Sequence, residues 1–557
     1  MLTLRPRAAR PFSLSQTVPG TGGIPPRAGA VGRRIIGRPP LWLLLPAVLV
    51  ALLELLPLLY LATRTFSAGD AASQMLFRSK TLAVMLNSVV LAGAVALTAI
   101  VIAVPLAWLT SRTDLPGRSF WGAAAAVPLV IPSYIGALVI VAALGPRGML
   151  QSALEPFGVD RLPSIYGFAG SWLTLSLFTY PYVYLTVRAA LHRLDPSLEE
   201  AARGLGYGPW RTFFAVTLPR LRPAAAAGGL LAALYTLGDF GVVTLLRYDA
   251  FTRAIYVQYR SAMDRGGAAV LALLLVALSL TVLIIEARAR GSATIHRLGS
   301  GAGRRARPVR LGNATVPALF FCVAIVGLAL VLPIGILAGW FARSLGEGVD
   351  LSGIAVAAWH SLTLGAWTSL IATAAALPIA TLLVRYPGRG ARLIERLAFL
   401  GYALPGIVVA LAFVAFGAGT PVYQTLAMLI AACVVRFLPE AISSARAALL
   451  QISPRLEEAA RGLGKTQAAA IATVTVPLAR SGILAGAALV VLTAMKELPA
   501  TLILSPTGWD TLAVQVWTAA NDAAYGRAAG PALILIAVSA IPMLLLAPRD
   551  GHRDEAR

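Results

Sequence analysis

The sequence predicts an all-α polytopic membrane protein of about 12 transmembrane helices, arranged as two parallel six-helix repeats. Three observations predict it. Of the 557 residues, 58% are hydrophobic and only 13% are charged, whereas a soluble domain carries roughly 25% charged residues. Apolar stretches of the roughly 20 residues needed to cross a hydrocarbon core recur along the chain. The second half of the chain also repeats the first. This balance excludes an ordinary soluble enzyme, a disordered protein and a disulfide-stapled secreted scaffold. Cys322 and Cys433 lie far apart inside apolar runs and supply neither a disulfide framework nor a metal site.

The spans fall at about 40–63, 83–110, 119–144, 166–187, 223–246 and 268–287, then 315–341, 357–384, 394–416, 422–445, 481–504 and 528–547. Pro57, Pro105, Pro132, Pro378, Pro405 and Pro439 lie inside them, and Pro181 weakens the fourth. Neighbouring helices can satisfy backbone groups that proline frees, so these residues predict kinks rather than loops. Orientation follows from Lys and Arg, which concentrate in cytoplasmic loops. Most of the 47 basic residues fall on inner segments if both termini are cytoplasmic, whereas the opposite orientation puts the arginine-rich stretch from Arg288 to Arg310 outside. The net charge of +23 is then an orientation signal, and nucleic acid is not needed to explain it.

Residues 1–39 read as a disordered basic cytoplasmic tail, uncleaved because the first span lacks a small-residue cleavage site. Residues 40–290 form the first half, 291–312 a cytoplasmic linker, 313–548 the second half and 549–557 a cytoplasmic tail. Asn313-Ala-Thr315 matches a glycosylation acceptor, but it falls on the inner side and is a chance match.

Self-comparison is the most informative step. Residues 195–219 and 453–477 align without gaps at an offset of 258, with 13 of 25 positions identical, including Leu-Glu-Glu-Ala-Ala-Arg-Gly-Leu-Gly. The same offset pairs Pro181 with Pro439, Arg188 with Arg446, Gly228 with Gly486 and Asp239 with Glu497. Earlier in each half the offset is 273, pairing Ser88 with Ser361, Pro105 with Pro378, Arg112 with Arg385 and Pro132 with Pro405. The difference fits an insertion around 145–165 on the outer side, where loops vary without disturbing packing.

The repeated block has the character of a docking element. Pro196 and Pro454 sit near the start of a short helix, where a missing N–H does little harm. Glu199-Glu200 and Glu457-Glu458 place negative charge in its first turns, favourable to the helix dipole. Ala201, Ala202 and Leu205, with Ala459, Ala460 and Leu463, offer a small apolar surface. Gly206 and Gly464 can end the helix in a left-handed conformation. A single copy would read as an ordinary amphipathic loop; two copies in register favour a knob that enters a partner's groove.

The pattern Glu-Ala-Ala, three residues, Gly, nine residues, then aliphatic-x-aliphatic-Pro resembles the EAA loop of permease subunits in binding-protein-dependent ABC importers. Glu200, Ala201, Ala202, Gly206, Val216, Leu218 and Pro219 match it, as do Glu458, Ala459, Ala460, Gly464, Val474, Val476 and Pro477, with Val476 replacing the usual leucine. The resemblance covers about 500 residues, all but the tails and linker. It implies the ABC importer permease fold, a multi-pass location in the bacterial cytoplasmic (inner) membrane, and EAA loops that seat in two ATP-binding cassette subunits on the cytoplasmic face. It also implies a solute-binding protein on the outer face. ATP would be bound by those partner subunits, and no cofactor by this chain. Fused permeases of this size look most like the ferric-iron type, with thiamine or another small solute the alternative. Ser133-Tyr-Ile-Gly-Ala-Leu, Leu144-Gly-Pro-Arg-Gly, Phe178-Thr-Tyr-Pro-Tyr-Val-Tyr, Leu237-Gly-Asp-Phe-Gly and Lys496-Glu-Leu-Pro-Ala-Thr-Leu carry that likeness.

Ionisable groups inside spans are functional candidates by default. Asp239 and Glu497 occupy equivalent positions near the middle of the fifth and eleventh spans. Lys496 adjoins Glu497 but points about 100° away on a helix. The carboxylates either face each other across the pseudo-two-fold axis as a polar gate or make structural polar contacts. Arg436 and Glu440, four apart, are expected to pair along one helix face. Glu54 has no equivalent and is expected against another helix or near water. Tyr180, Tyr182 and Tyr184 resemble an interfacial aromatic belt, with a hydrogen bond within the bundle the alternative for Tyr180, and His360 reads as interfacial.

Several motifs fail. Gly464-Lys465-Thr466 ends like a phosphate-binding loop, but Ala459 stands where the earlier glycine is required and no strand precedes it. No nucleophile–base or metal-ligand constellation marks an enzyme. An ion-coupled secondary transporter also favours twelve spans in two halves, with Asp239 and Glu497 as its ion sites; the paired EAA blocks argue against it.

Overall fold

A computed structural model of the chain describes residues 39–67, 69–260, 265–291 and 308–546. Nearly all of the expected N-terminal tail, most of the linker and the tail at 549–557 lie outside the described residues. We label the main helices of the first half α1 (Leu41–Ser67), α2 (Ser79–Arg112), α3 (Ser133–Leu144), α4 (Phe168–Arg193), α5 (Ser197–Gly204), α6 (Leu218–Gly238) and α7 (Arg265–Gly291). Their counterparts in the second half follow in the same order. They are α8 (Gly312–Gly346), α9 (Leu351–Arg385), α10 (Gly406–Gly417), α11 (Leu426–Leu450), α12 (Pro454–Gly462), α13 (Val476–Met495) and α14 (Tyr525–Leu546).

Among the described residues, eight helices are long and apolar enough to cross a membrane; the pair Arg389–Ala403 and Gly406–Gly417, bent by 102°, makes a ninth if it is one broken span and a re-entrant loop otherwise. The remaining expected spans fall on α4 and α6, which carry more polar residues, and on α14, whose apolar part (Tyr525–Ile541) is shorter. Pro57, Pro105, Pro181, Pro378 and Pro439 lie within continuous helices, as expected. Pro132 and Pro405 do not: each is the N-cap of a new helix, α3 or α10. The residue before a proline is pushed out of the helical region, and Ile131 and Leu404 are both extended, with ψ of 119° and 113°. The expected spans 119–144 and 394–416 are therefore broken. So are 223–246 and 481–504, which stop at Gly238 and Met495 and restart as Gly241–Leu245 and Pro499–Leu504.

Three π-helical turns, Phe213–Thr217, Gly327–Val331 and Ile471–Thr475, each directly precede an aliphatic-Pro pair: Leu218-Pro219, Leu332-Pro333 and Val476-Pro477. Proline has no N–H to donate and crowds the carbonyl four residues back; widening the preceding turn relieves both problems without ending the helix.

The halves share their cores. α1 packs on α7 of its own half and on α9, Arg389–Ala398 and α10 of the other. In return α8 packs on α14 and on α3 of the first half, and its Cys322, Ile336, Leu337 and Trp340 belong to one apolar cluster with Trp108, Tyr134, Tyr180 and Tyr184. Equivalent hydroxyls anchor equivalent loops: Ser88 accepts from the Phe251 N–H at 3.0 Å and Ser361 from that of Leu512 at 2.8 Å. Gly228 and Gly486 bring α6 onto α4 and α13 onto α11. A Cβ on Gly228 would lie 2.4 Å from Thr186 Oγ1 and 2.7 Å from the Val183 Cα; one on Gly486 would lie 2.4 Å from the Ser444 Cβ. Overpacking of this kind costs about 1–3 kcal/mol. Gly228→Val and Gly486→Val should each lower the thermal unfolding midpoint of the detergent-purified chain; unchanged midpoints would show that these contacts do not hold the helices together.

Candidate pathway and coupling loops

The two repeated loops fold alike because their turn chemistry is the same. α5 ends at Gly206 with φ +85° and α12 at Gly464 with φ +87°. In each copy the glycine N–H bonds back to the arginine carbonyl (Gly206 to Arg203, Gly464 to Arg461, both 2.9 Å). The next N–H bonds to the alanine carbonyl five residues back, Tyr207 to Ala202 at 3.1 Å and Lys465 to Ala460 at 3.2 Å. These are Schellman endings, which need the left-handed glycine. Leu205 and Leu463, just before the turns, are 80% and 85% exposed: two equivalent apolar side chains stand out with none of the described residues covering them.

The sequence reading singled out Glu200, Ala201, Ala202 and Gly206, with Glu458, Ala459, Ala460 and Gly464. The structure divides that set. Glu200, Ala201 and Gly206, and their counterparts Glu458, Ala459 and Gly464, are exposed, but Ala202 and Ala460 are buried against the body and do not belong to the outward apolar surface. The carboxylates that hold the loops are instead the preceding ones, Glu199 and Glu457, which are 6% and 3% exposed. Arg385, at the end of α9, reaches Glu457 Oε1 with Nη2 at 2.7 Å and Nε at 2.9 Å, and the Thr475 hydroxyl donates to the same oxygen at 2.7 Å. In the first half Thr217 donates to Glu199 Oε1 at 3.0 Å, while Arg112 stands 3.9 Å away and donates instead to the Leu191 carbonyl at 2.7 Å. The π-turns Phe213–Thr217 and Ile471–Thr475 thus each deliver a threonine to a buried carboxylate, and each loop is tied to the end of a long membrane helix. On the same side, Val309 of the linker forms a parallel bridge with Thr113, and the Leu311 N–H donates to Asp114 Oδ1 at 2.9 Å.

Between the halves lies a cavity of about 250 Å³. Asp239, Lys496 and Glu497 all line it, but not as mid-helix residues: the helices end just before them. Each acid satisfies the restart of its chain. Asp239 Oδ1 accepts from the Val242 N–H at 2.8 Å and Glu497 Oε1 from that of Ala500 at 3.2 Å; their carbonyls accept from Thr252 at 2.6 Å and Thr501 at 2.7 Å. The remaining carboxylate bonds differ between the halves. Asp239 takes a short bond from the Ser133 hydroxyl, itself contacted by the Tyr235 hydroxyl at 3.2 Å. Glu497 takes the Arg436 guanidinium at 2.9 Å. Arg436 therefore pairs across helices and not with Glu440, as its i,i+4 spacing suggested. Glu440 accepts from Thr493 at 3.0 Å and interacts electrostatically with Lys496.

One further expectation, the tyrosine belt, is corrected here, while Glu54 lies against another helix as expected. Tyr180 and Tyr184 are fully buried, Tyr184 donating to the Gly122 carbonyl at 2.9 Å, and Tyr182 lines the cavity, so the three form no interfacial belt. Glu54 is buried against Gly401 of the second half. His360 is half-buried, stacked on Trp509 and 3.0 Å from the Asp510 carbonyl. The sequence reading missed Glu199, Glu457, Arg112 and Arg385 as loop anchors, although the alignment of the two arginines was in view.

Removing one member of a buried ion pair strands the other, a loss of roughly 3–5 kcal/mol. Glu457→Gln should therefore destabilise the detergent-purified protein clearly in thermal unfolding. Glu199→Gln, whose arginine is more distant, should cost less; equal losses would contradict the geometry.

A protein-family model for the binding-protein-dependent transport system inner membrane component matches residues 99–289 and again 368–547, one match per half. The Fe(3+)-transport system permease protein FbpB 2 of Haemophilus influenzae is 33% identical over 519 residues, covering 91% of this chain and 98% of the relative. The ferric transport system permease protein FbpB of Actinobacillus pleuropneumoniae is 27% identical, covering 82% of this chain and 69% of the relative. The molybdenum transport system permease protein ModB of Escherichia coli is 31% identical over 187 residues, 32% of this chain and 80% of that protein. With both halves matched, the chain belongs to the family of binding-protein-dependent transport system inner membrane components, as a multi-pass permease with two copies of the family's unit fused in one polypeptide.

Proposed function

We propose that this chain forms the pathway of an ATP-driven importer of ferric iron, with ATP hydrolysed by two separate ATPase subunits and cargo delivered by a solute-binding protein. The observation that carries the coupling is the duplication of the docking loop: two helices with the same glycine ending, each exposing a leucine and each pinned to a membrane helix through a buried carboxylate. A rigid pin transmits motion, so a pull on α12 is a pull on α9 through Glu457 and Arg385. The linker strap at Val309 and both loops are tied to the ends of α2 and α9, which fits a cytoplasmic face carrying the loops, linker and termini. ATP binding would draw the ATPases together, move both loops and change the exposure of the central cavity; hydrolysis would reset it. Iron as cargo rests on the ferric relatives, which match along both halves, whereas the molybdenum permease matches about a third of the chain.

Reconstitution tests the reading. Vesicles holding this chain with its ATPase and binding protein should take up ferric iron only with ATP, and this chain alone under an ion gradient should take up none. Gradient-driven uptake by the chain alone would overturn the importer assignment and favour a secondary transporter. Forcing a side chain into the left-handed region costs roughly 1–2 kcal/mol per residue, so the double variant Gly206→Leu, Gly464→Leu should insert normally yet lose ATP-driven uptake by about tenfold or more. Wild-type uptake by that variant would remove the docking role.

A further inference from the structure

The cavity is built from equivalent positions of two repeats, yet its two walls carry different chemistry. The first half contributes Ser133, Phe178, Tyr182, Tyr235, Gly238 and Asp239; the second contributes Arg436, Glu440, Thr493, Lys496 and Glu497 at the positions aligned with the last five, and Gly406, aligned with Ser133, directly follows the lining residue Pro405. The key exchange is Ser133 for Gly406. In the first half the serine hydroxyl meets the carboxylate. In the second that space is vacated: a Cβ on Gly406 would lie 1.5 Å from Arg436 Nη1 and 2.6 Å from Glu497 Oε1. The glycine is the notch that admits the guanidinium.

We infer that Arg436 is a tethered counter-cation, which occupies Glu497 when the pathway is empty and gives it up to the cationic cargo. This rests on the proposed ferric cargo. A hard trivalent cation is attracted by carboxylates, but a pathway that offers them bare would hold the ion. The cavity holds three acids, Asp239, Glu440 and Glu497, against two bases, Arg436 and Lys496. The net field still favours a cation, while a resident positive charge competes for the carboxylate. Arg436 has room for the exchange. Its side chain is 26% exposed and Glu497's only 3%, and Glu440 lies one turn along the same helix, within reach of the released guanidinium. Asp239, held by a hydroxyl and a backbone N–H, makes no ion pair among the described residues and feels Arg436 only through its field, so the direct exchange acts at Glu497. Arg436 is thus a positioning residue that sets how readily the cation leaves.

The assembled importer in vesicles, supplied with ferric citrate, tests this with two readouts: uptake rate, and iron still bound to the purified complex after turnover and desalting. Arg436→Gln should slow uptake about tenfold while raising retained iron several-fold, and Arg436→Lys should restore much of both. Gly406→Ala keeps the charge but fills the notch, and should shift both readouts in the same direction as Arg436→Gln. Co-purification of each variant with its partners controls for assembly. Wild-type uptake and retention in both Arg436→Gln and Gly406→Ala would overturn the counter-cation role and leave the ferric reading standing. Loss of uptake without raised retention would also overturn it, since Arg436 would then be holding the cavity wall in shape rather than displacing the cargo. A wild-type importer that takes up no iron would sink the cargo assignment, and the counter-cation with it.

Discussion

A helix that stops inside an apolar bundle leaves N–H and carbonyl groups that no water can take up, and much of this structure follows from how those ends are satisfied. At 239 and 497 the chain uses the acid itself: its carboxylate caps the next short helix and its carbonyl receives a threonine hydroxyl. A carboxylate placed there for backbone reasons still needs a partner for its charge, and the halves supply different ones. The cavity owes its position to the breaks and its chemistry to that choice. At Pro132 and Pro405 the interruption is made the other way, by a residue that cannot continue a helix backwards.

The ends of the long helices beside the repeated loops obey the same constraint. Arg112 and Arg385 close α2 and α9, and each turns its guanidinium to a carbonyl just past a helix end, Leu194 or Ile452, and to a buried glutamate of the repeated short helix. The second half makes this joint tightly and the first loosely, with 2.7 Å against 3.9 Å between the charged atoms. The two repeated loops are equal in backbone form and unequal in how firmly they are held.

Much of this was legible in the sequence. The glycines at 206 and 464, the aligned serines at 88 and 361, and the prolines within α1, α2, α4, α9 and α11 behave as their local chemistry says. What stayed hidden needed partners distant along the chain. Glu199 and Glu200 are neighbours on one short helix, and only the approach of Arg112 and Thr217 decides which of them is buried. Arg436 has an acid at the ideal helical spacing, but the break after Met495 swings Glu497 to it and the local rule loses. One signal was available and unread: the alignment that paired Pro132 with Pro405 also places Ser133 opposite Gly406, a mismatch beside a shared proline. Glycine opposite a polar side chain marks a place where something else fills the room.

The exchange of α1 and α8 between the halves has a consequence for synthesis. The face of α1 that carries Leu43, Ala47, Ala51 and Glu54 is buried against helices beginning at Leu351 and later, roughly 280 residues downstream. At about 5–20 residues per second, α1 waits on the order of 15–60 s in the bilayer before its second-half neighbours exist, with α7 of its own half made sooner. Throughout that interval the Glu54 carboxyl has no Gly401 to rest on. Neither half can complete its interior by itself, so the nascent first half is an unfinished object for as long as the ribosome is still working on the second.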